Sequence, residues 1–208
     1  MNPYQVVKDF EAALCEYTGA PYAVTTTSCT MALLISLSYE YVERGRRTVS
    51  IPARTYVGVA QSILNAGHNL AFYQHNWSGS YPLTGTCIID SARWLRSDSY
   101  KAGTFTCLSF HWSKHLAIGQ GGCILHDNHK ADETLRRMRF DGRAEGVPIE
   151  DDVIFSPAYH AYMMPRDAAE GLSKLAVLPR YLKPIPGEYP DLRVKFNGRF
   201  NRDPRGLR

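Results

Sequence analysis

Apolar residues at Val6, Val7, Phe10, Leu14 and Tyr17 recur at close to the helical period. This spacing predicts a first helix in "NPYQVVKDFEAALCEYTG", with Asn2–Pro3 as cap and first turn and Gly19 as its stop. "YAVTTTS" then reads as a short strand. It runs into "CTMALLISLSYEYVERG", an apolar-faced helix ended by Gly45. The same alternation continues through "RTVSIPA" as a strand, "TYVGVAQSILNAG" as a helix closed by Gly67, and "NLAFYQ" as a strand. "TCIIDSA", "TFTCLSF" and "GGCILHD" read as further strands, and "KADETLRRMRFDG" as a helix ended by Gly142.

Strands and helices alternating at this spacing predict a layered α/β domain with a mostly parallel sheet. The last strands follow one another without helices, so the sheet is expected to be mixed. Beyond Gly142 the pattern weakens. "RAEGVPIEDDVIFSPAYHAYMM" reads as a loop with one extended piece, and "PRDAAEGLSKLAVL" as a helix. The remainder is rich in Pro, Gly and Arg and is expected to be irregular and open to motion. The division expected is an α/β large domain over 1–142 and, over 143–208, a loop, a helix and a basic C-terminal region.

Composition changes this picture little. The 208 residues are 44% hydrophobic and 21% charged, an ordinary globular balance, and the net charge is a mild +4. The basic excess is local: Arg180–Arg208 carries eight Lys/Arg against three Asp/Glu. Such a tail fits a solvated face better than a nucleic-acid contact. The five cysteines (Cys15, Cys29, Cys87, Cys107, Cys123) show no CxxC spacing and read as reduced core residues. No signal-peptide pattern and no run long enough to span a membrane is evident, so a cytoplasmic protein without membrane contact is expected. No metal-ligand spacing stands out.

The candidate chemistry lies where strands give way to turns. Ser28, Cys29 and Thr30 stand at a strand-to-helix junction, whose free N–H groups and partial positive charge suit a phosphate. The plainer reading is helix capping by Ser28 or Thr30. Tyr56 opens a helix after "IPART" and could stack on a flat ligand or fill the core. Asp90 ends an apolar strand, where it could cap the next element or hold a cationic ring nitrogen. Lys114 sits between the aromatic strand end at Ser109 and the glycine turn of "GQGG"; a solvated loop lysine is the plainer reading. Together these residues supply a phosphate seat, a stacking ring, a partner for a pyridinium nitrogen and an amine, which is what pyridoxal 5'-phosphate requires.

The order and spacing of these pieces resemble the DegT/StrS family of pyridoxal phosphate-dependent sugar aminotransferases, of aspartate aminotransferase fold type I. "FEAALCEYTGAPYAVTTTSCTMALLISL" resembles that family's opening helix, strand and phosphate turn. "IPARTYVGVAQSILNAG", "IIDSAR", "SFHWSKHLAIGQGGCILHD" and "AYHAYMMPRDAAEGLSKLAVL" resemble its later segments in the same order. The resemblance implies a three-layer PLP-transferase-like large domain with a mostly parallel mixed sheet. It also implies roles. Lys114 would be the Schiff-base lysine and Asp90 the partner of the pyridine nitrogen. Tyr56 would stack on the ring, and Ser109 with the Ser28–Cys29–Thr30 turn would hold the phosphate. His160 would reach the cofactor phosphate of a neighbouring subunit, which implies a homodimer with shared active sites.

This chain departs from the family at Arg93, where the family carries Gln or His on the cofactor side; an arginine can pair with an anionic group. It also lacks a strand and a helix between "LAFYQ" and "TCIID", and most of the small C-terminal domain. The leading expectation is an aminotransferase acting on a small-molecule amino donor and a sugar-like or other small acceptor. Two alternatives stay open. One is a decarboxylating or rearranging enzyme for an amino acid on a carrier such as a modified DNA base, with the basic tail as its support. The other is a non-catalytic family member, against which Lys114 and Asp90 both speak.

Overall fold

The computed structural model describes residues 4–196. The elements in chain order are α1 (Gln5–Thr18), β1 (Tyr22–Thr26), α2 (Cys29–Arg44), β2 (Thr48–Pro52), α3 (Val57–Asn65), β3 (Asn69–Tyr73), β4 (Tyr81–Pro82), β5 (Ile88–Asp90), β6 (Phe105–Ser109), β7 (Gly122–His126), α4 (His129–Arg139), α5 (Pro165–Leu175) and α6 (Leu192–Lys195). A single 3-10 turn covers Ile149–Asp151. The cap expected at Asn2–Pro3 lies outside the described residues, as does the part of the basic Arg180–Arg208 stretch beyond 196. The stop expected at Gly19 is present: its φ is 81°, and its N–H bonds back to the Cys15 carbonyl.

Hydrogen bonding gives one run of strands in the order β1-β7-β6-β5-β4 and a separate pair β2-β3. Ser50 and Thr84 exchange both backbone hydrogen bonds, at 2.9 Å each, and so join the two into one continuous surface. Ladder directions then resolve the mixed character. β1, β2, β3, β5 and β6 run one way, while β7 and the two-residue β4 run the other. The expectation of a mostly parallel mixed sheet is met in strand direction. The gap noted between "LAFYQ" and "TCIID" is a correction in part, because β4 and Thr84 bridge it with reversed backbone.

Helices cover both faces. Along β7, Cys123 and Leu125 join the cluster built on Phe10, Leu14, Ala168 and Leu175 of α1 and α5. Ile124 between them joins the cluster of Leu33, Leu37, Ile63, Leu135 and Met138 from α2, α3 and α4. This alternation is what a strand buried on both sides requires, and it makes the expected three layers. Truncating a fully buried ring such as Phe10, which packs 5.5 Å from Phe110, costs about 3–5 kcal/mol.

A buried ionic cluster ties α1, β1 and α4 together. Glu11 Oε1 accepts from the Thr25 N–H at 2.9 Å and from Arg139 Nη1 at 2.5 Å, and Oε2 accepts from Arg136 at 2.6 Å. Burial would raise the Glu11 carboxyl, but Arg139 and Arg136 reverse this and hold it below its ordinary value. Of Tyr159, Tyr162, Met163 and Met164, most are covered by their own chain. Met163 is buried in the α1–α5 core, and the Tyr159 hydroxyl lies 2.6 Å from Ser38 Oγ of its own chain; Met164 alone is exposed.

Candidate active site

The loops at one end of the sheet enclose a cavity of about 330 Å³. Ser28, Cys29, Thr30, Tyr56, Asp90, Arg93, Ser109 and Lys114 all line it, so eight of the nine site residues expected from the sequence converge. His160 does not. It lies exposed outside the cavity, with Nδ1 2.7 Å from Asp141 Oδ2.

Helix α2 supplies the first wall. Ser28 is its N-cap, and its hydroxyl accepts from Met31 N–H at 3.1 Å. The Ser28 carbonyl takes the Ala32 N–H. Cys29 and Thr30 open the helix, so their N–H groups have no intrahelical acceptor and face an anion's needs. The Ser28 side chain is therefore occupied by capping, and the backbone N–H groups of Cys29 and Thr30 are what the turn can offer a ligand. Burial pushes the Cys29 thiol well above its ordinary value, so it stays neutral. Gly122 opens β7 directly against this turn: a Cβ there would collide with the backbone of Ser28 and Cys29. Tyr56 lies beside Thr30, and its ring fills the space that a Cβ on Gly58 would need. It is 54% exposed, so core packing is not its role.

Asp90 ends β5 at 5% exposure. Its Oδ1 accepts the Ala92 N–H at 2.9 Å and its Oδ2 accepts the Tyr81 hydroxyl at 2.8 Å. Burial raises its pKa, and these two donors and the nearby Lys114 act against that rise. Lys114 rides on a loop that leaves β6 and returns to β7. Phe110 N–H bonds to the Gly121 carbonyl, Ile118 N–H to the Phe110 carbonyl, and Lys114 N–H to the His111 carbonyl. Phe110, Leu116 and Ile118 bury in the core beneath, which fixes the loop while Gly119 (φ 91°) and Gly121 (φ 144°) make its turn. Burial, and next the Arg93 charge, lower the Lys114 pKa. A lowered amine pKa raises the fraction of nucleophilic free base.

Arg93 is turned toward the C-terminal segment. Its Nε donates to the Ile185 carbonyl at 2.9 Å, Nη1 to the Tyr189 hydroxyl at 2.8 Å, and Nη2 to the Pro186 carbonyl. This segment, irregular as expected, is tied down along its length. Tyr17 bonds to Pro179, Trp94 to Leu182, His115 to Lys183 and Arg54 to Tyr189. Tyr189 thereby forms part of the cavity wall, stacked at 6.1 Å and 15° on Trp77.

Sequence reasoning passed over Thr55, Tyr81, Trp77, His111 and Tyr189, which belong to the cavity or to Asp90. Thr55 stood beside Tyr56 in the quoted motif and was within reach. Tyr81 carried no signal, since a two-residue strand has no period.

The family description DegT/DnrJ/EryC1/StrS aminotransferase matches residues 1–76 and 92–184. The spore coat polysaccharide biosynthesis protein SpsC of Bacillus subtilis (strain 168) is 22% identical over 81% of this chain and 56% of its own length. A sugar aminotransferase from Micromonospora echinospora superposes with a TM-score of 0.69 at 17% identity, covering 83% of this chain and 60% of that one. Helicobacter pylori PseC, an aminotransferase involved in pseudoaminic acid biosynthesis, superposes with a TM-score of 0.64 at 17% identity over 82% and 57%. The fold is that of the fold type I aminotransferases, and the chain spans less than two thirds of the length of these relatives.

Proposed function

The chain belongs to the DegT/DnrJ/EryC1/StrS aminotransferase family, and from that premise we propose that it binds pyridoxal 5'-phosphate in the 330 Å³ cavity and moves an amino group from an amino acid to a carbonyl of a sugar-like acceptor. The observation that carries this reading is the convergence of Lys114, Asp90 and the unpaired α2 amides on one cavity from separate elements. The donor set fits the group. The N–H groups of Cys29 and Thr30, with Ser109, suit its phosphate; Tyr56 suits the ring face; and Asp90 keeps lone pairs beyond those given to Tyr81 and Ala92.

The bound cofactor supplies an aldehyde for an amine to capture and a ring that withdraws electrons from the substrate's Cα. Everything else falls to the chain. Lys114 Nζ would hold the cofactor at rest and would then carry the proton that leaves the substrate's Cα, as base and then as acid. Its lowered pKa suits it to both tasks. The Asp90 carboxylate would hold the proton on the ring nitrogen. Trp77 and Tyr189, stacked on each other in the cavity wall, would exclude water.

A homodimer with shared sites belongs to the same reading. Trp112 is 71% exposed, and with Tyr56 and Val57 it leaves apolar surface around the cavity mouth. His160, exposed outside its own cavity beside Asp141, would then approach a partner's. Mixing Lys114→Ala with His160→Ala under subunit exchange restores part of the activity if sites are shared; a strictly monomeric species by light scattering contradicts sharing.

The test of function is direct. Purified protein with added cofactor develops a visible absorption band, and L-glutamate then bleaches it with release of 2-oxoglutarate. Absence of a band at excess cofactor overturns the reading.

A further inference from the structure

Lys114 and Arg93 are the Lys/Arg side chains of the cavity, and Asp90 is its carboxylate. Lys114 is committed to the cofactor in the reading above. Arg93 is not. Its three held donors go to two carbonyls and a phenol, all neutral. Among the described residues no carboxylate forms an ion pair with it, whereas Arg136, Arg137 and Arg139 each have one. Asp90 acts on this guanidinium across the cavity without touching it, and a guanidinium whose held donors meet only neutral acceptors keeps direct contacts to offer an anion.

The seat is also built. Ile185, Pro186 and Tyr189 grip the guanidinium from one segment, and Gly187 lies flush against it, where any Cβ would strike Cζ. Of five N–H donors three are taken, which leaves one on each of Nη1 and Nη2. A fork held this way gives up little side-chain entropy on binding.

We propose that Arg93 is the residue of this cavity that recognises a substrate carboxylate, that of the amino acid donor and of the oxo acid it becomes, and that the Leu182–Tyr189 segment holds it in position to do so. The inference rests on the cavity being the proposed aminotransferase site. The carboxylate docks on the two free Nη protons, which sets the donor's amino group toward Lys114 and leaves the strap contacts in place.

Calorimetric titration of the cofactor-loaded protein with glutarate tests it, with glutaramide as the uncharged control and inorganic phosphate as a competing anion. Wild type binds glutarate, and Arg93→Gln weakens that binding at least tenfold without changing the response to glutaramide. Arg93→Lys, which keeps charge and loses the fork, weakens it several-fold, and Tyr189→Phe, which removes one holding contact, weakens it less. Unchanged glutarate affinity in Arg93→Gln, or in Arg93→Lys should the first variant not fold, overturns the proposal and leaves Arg93 a fastener of the strap. Phosphate binding as tight as glutarate and equally dependent on Arg93 overturns the carboxylate assignment. Visible absorbance of the same samples reports cofactor occupancy. A band without Arg93-dependent binding refutes this inference alone, and no band in wild type refutes the aminotransferase reading beneath it.

Discussion

Tyr81 donates a 2.8 Å hydrogen bond to Asp90 across the β4–β5 pair, in which the two residues stand directly opposite. The Tyr81 oxygen also lies 2.6 Å from Thr55 Oγ1. Because the phenol's one proton goes to Asp90, the threonine hydroxyl must donate to Tyr81. The relay runs Thr55 to Tyr81 to Asp90 and favours the ionised carboxylate that burial opposes. Tyr81→Phe removes a bond to a charged group worth about 1.5–3 kcal/mol, so turnover is expected to fall roughly ten- to hundredfold. It also raises the Asp90 pKa, and since Asp90 must be ionised, the acid limb of the pH–rate profile moves to higher pH. An unmoved limb contradicts the relay.

Asp90→Asn keeps the shape of the β5 end and loses its charge. The variant is expected to retain cofactor, measured by absorbance, while turnover falls by about two orders of magnitude or more. Near-normal turnover reduces Asp90 to a cap for the Ser91–Arg93 turn.

Gly122 and Gly119 separate crowding from backbone strain. Gly119→Ala meets open space and pays only for a φ of 91°, about 1–2 kcal/mol. Gly122→Ala drives a methyl into the backbone of the Ser28–Cys29 turn and is expected to cost about 1–3 kcal/mol or more, with weaker cofactor retention. Thermal unfolding with and without cofactor measures both; equal cofactor retention in the two variants contradicts the assignment of the turn as the phosphate seat.

Glu11 makes stability depend on acid. Its folded pKa is lowered, so its contribution is fully present above the unfolded value of about 4.3 and is lost as pH falls through the folded value. Glu11→Ala leaves Arg139 buried without its closest carboxylate, at an expected cost of about 3–5 kcal/mol near neutral pH. Urea denaturation at pH 7 and pH 3 checks this: the gap between wild type and variant narrows at the lower pH.

What could be read from the chain followed from period and punctuation. α2, with apolar residues on a helical period between Ser28 and Gly45, and β7, alternating between two cores, were legible because each repeats a pattern over several residues. β4 and α6 were not, at two and four residues, since neither completes a period. The cavity residues at strand ends were legible as a set. The relay from Thr55 and the grip on Arg93 were not, because both join positions far apart in the chain: Arg93 is held by residues some 90 places on. The strap's irregularity was legible from its prolines. That side chains elsewhere would tie it down was not, because its bonds go through backbone carbonyls that no residue type betrays.

The central claim is that Lys114 is the attachment point of a cofactor in this cavity. Borohydride reduction of the cofactor-loaded protein, followed by peptide mass mapping, tests it most directly. The reduced cofactor is expected on the peptide carrying Lys114, and Lys114→Ala is expected to yield none. Label on Lys101 or Lys130 instead, or an unlabelled wild-type protein, contradicts it.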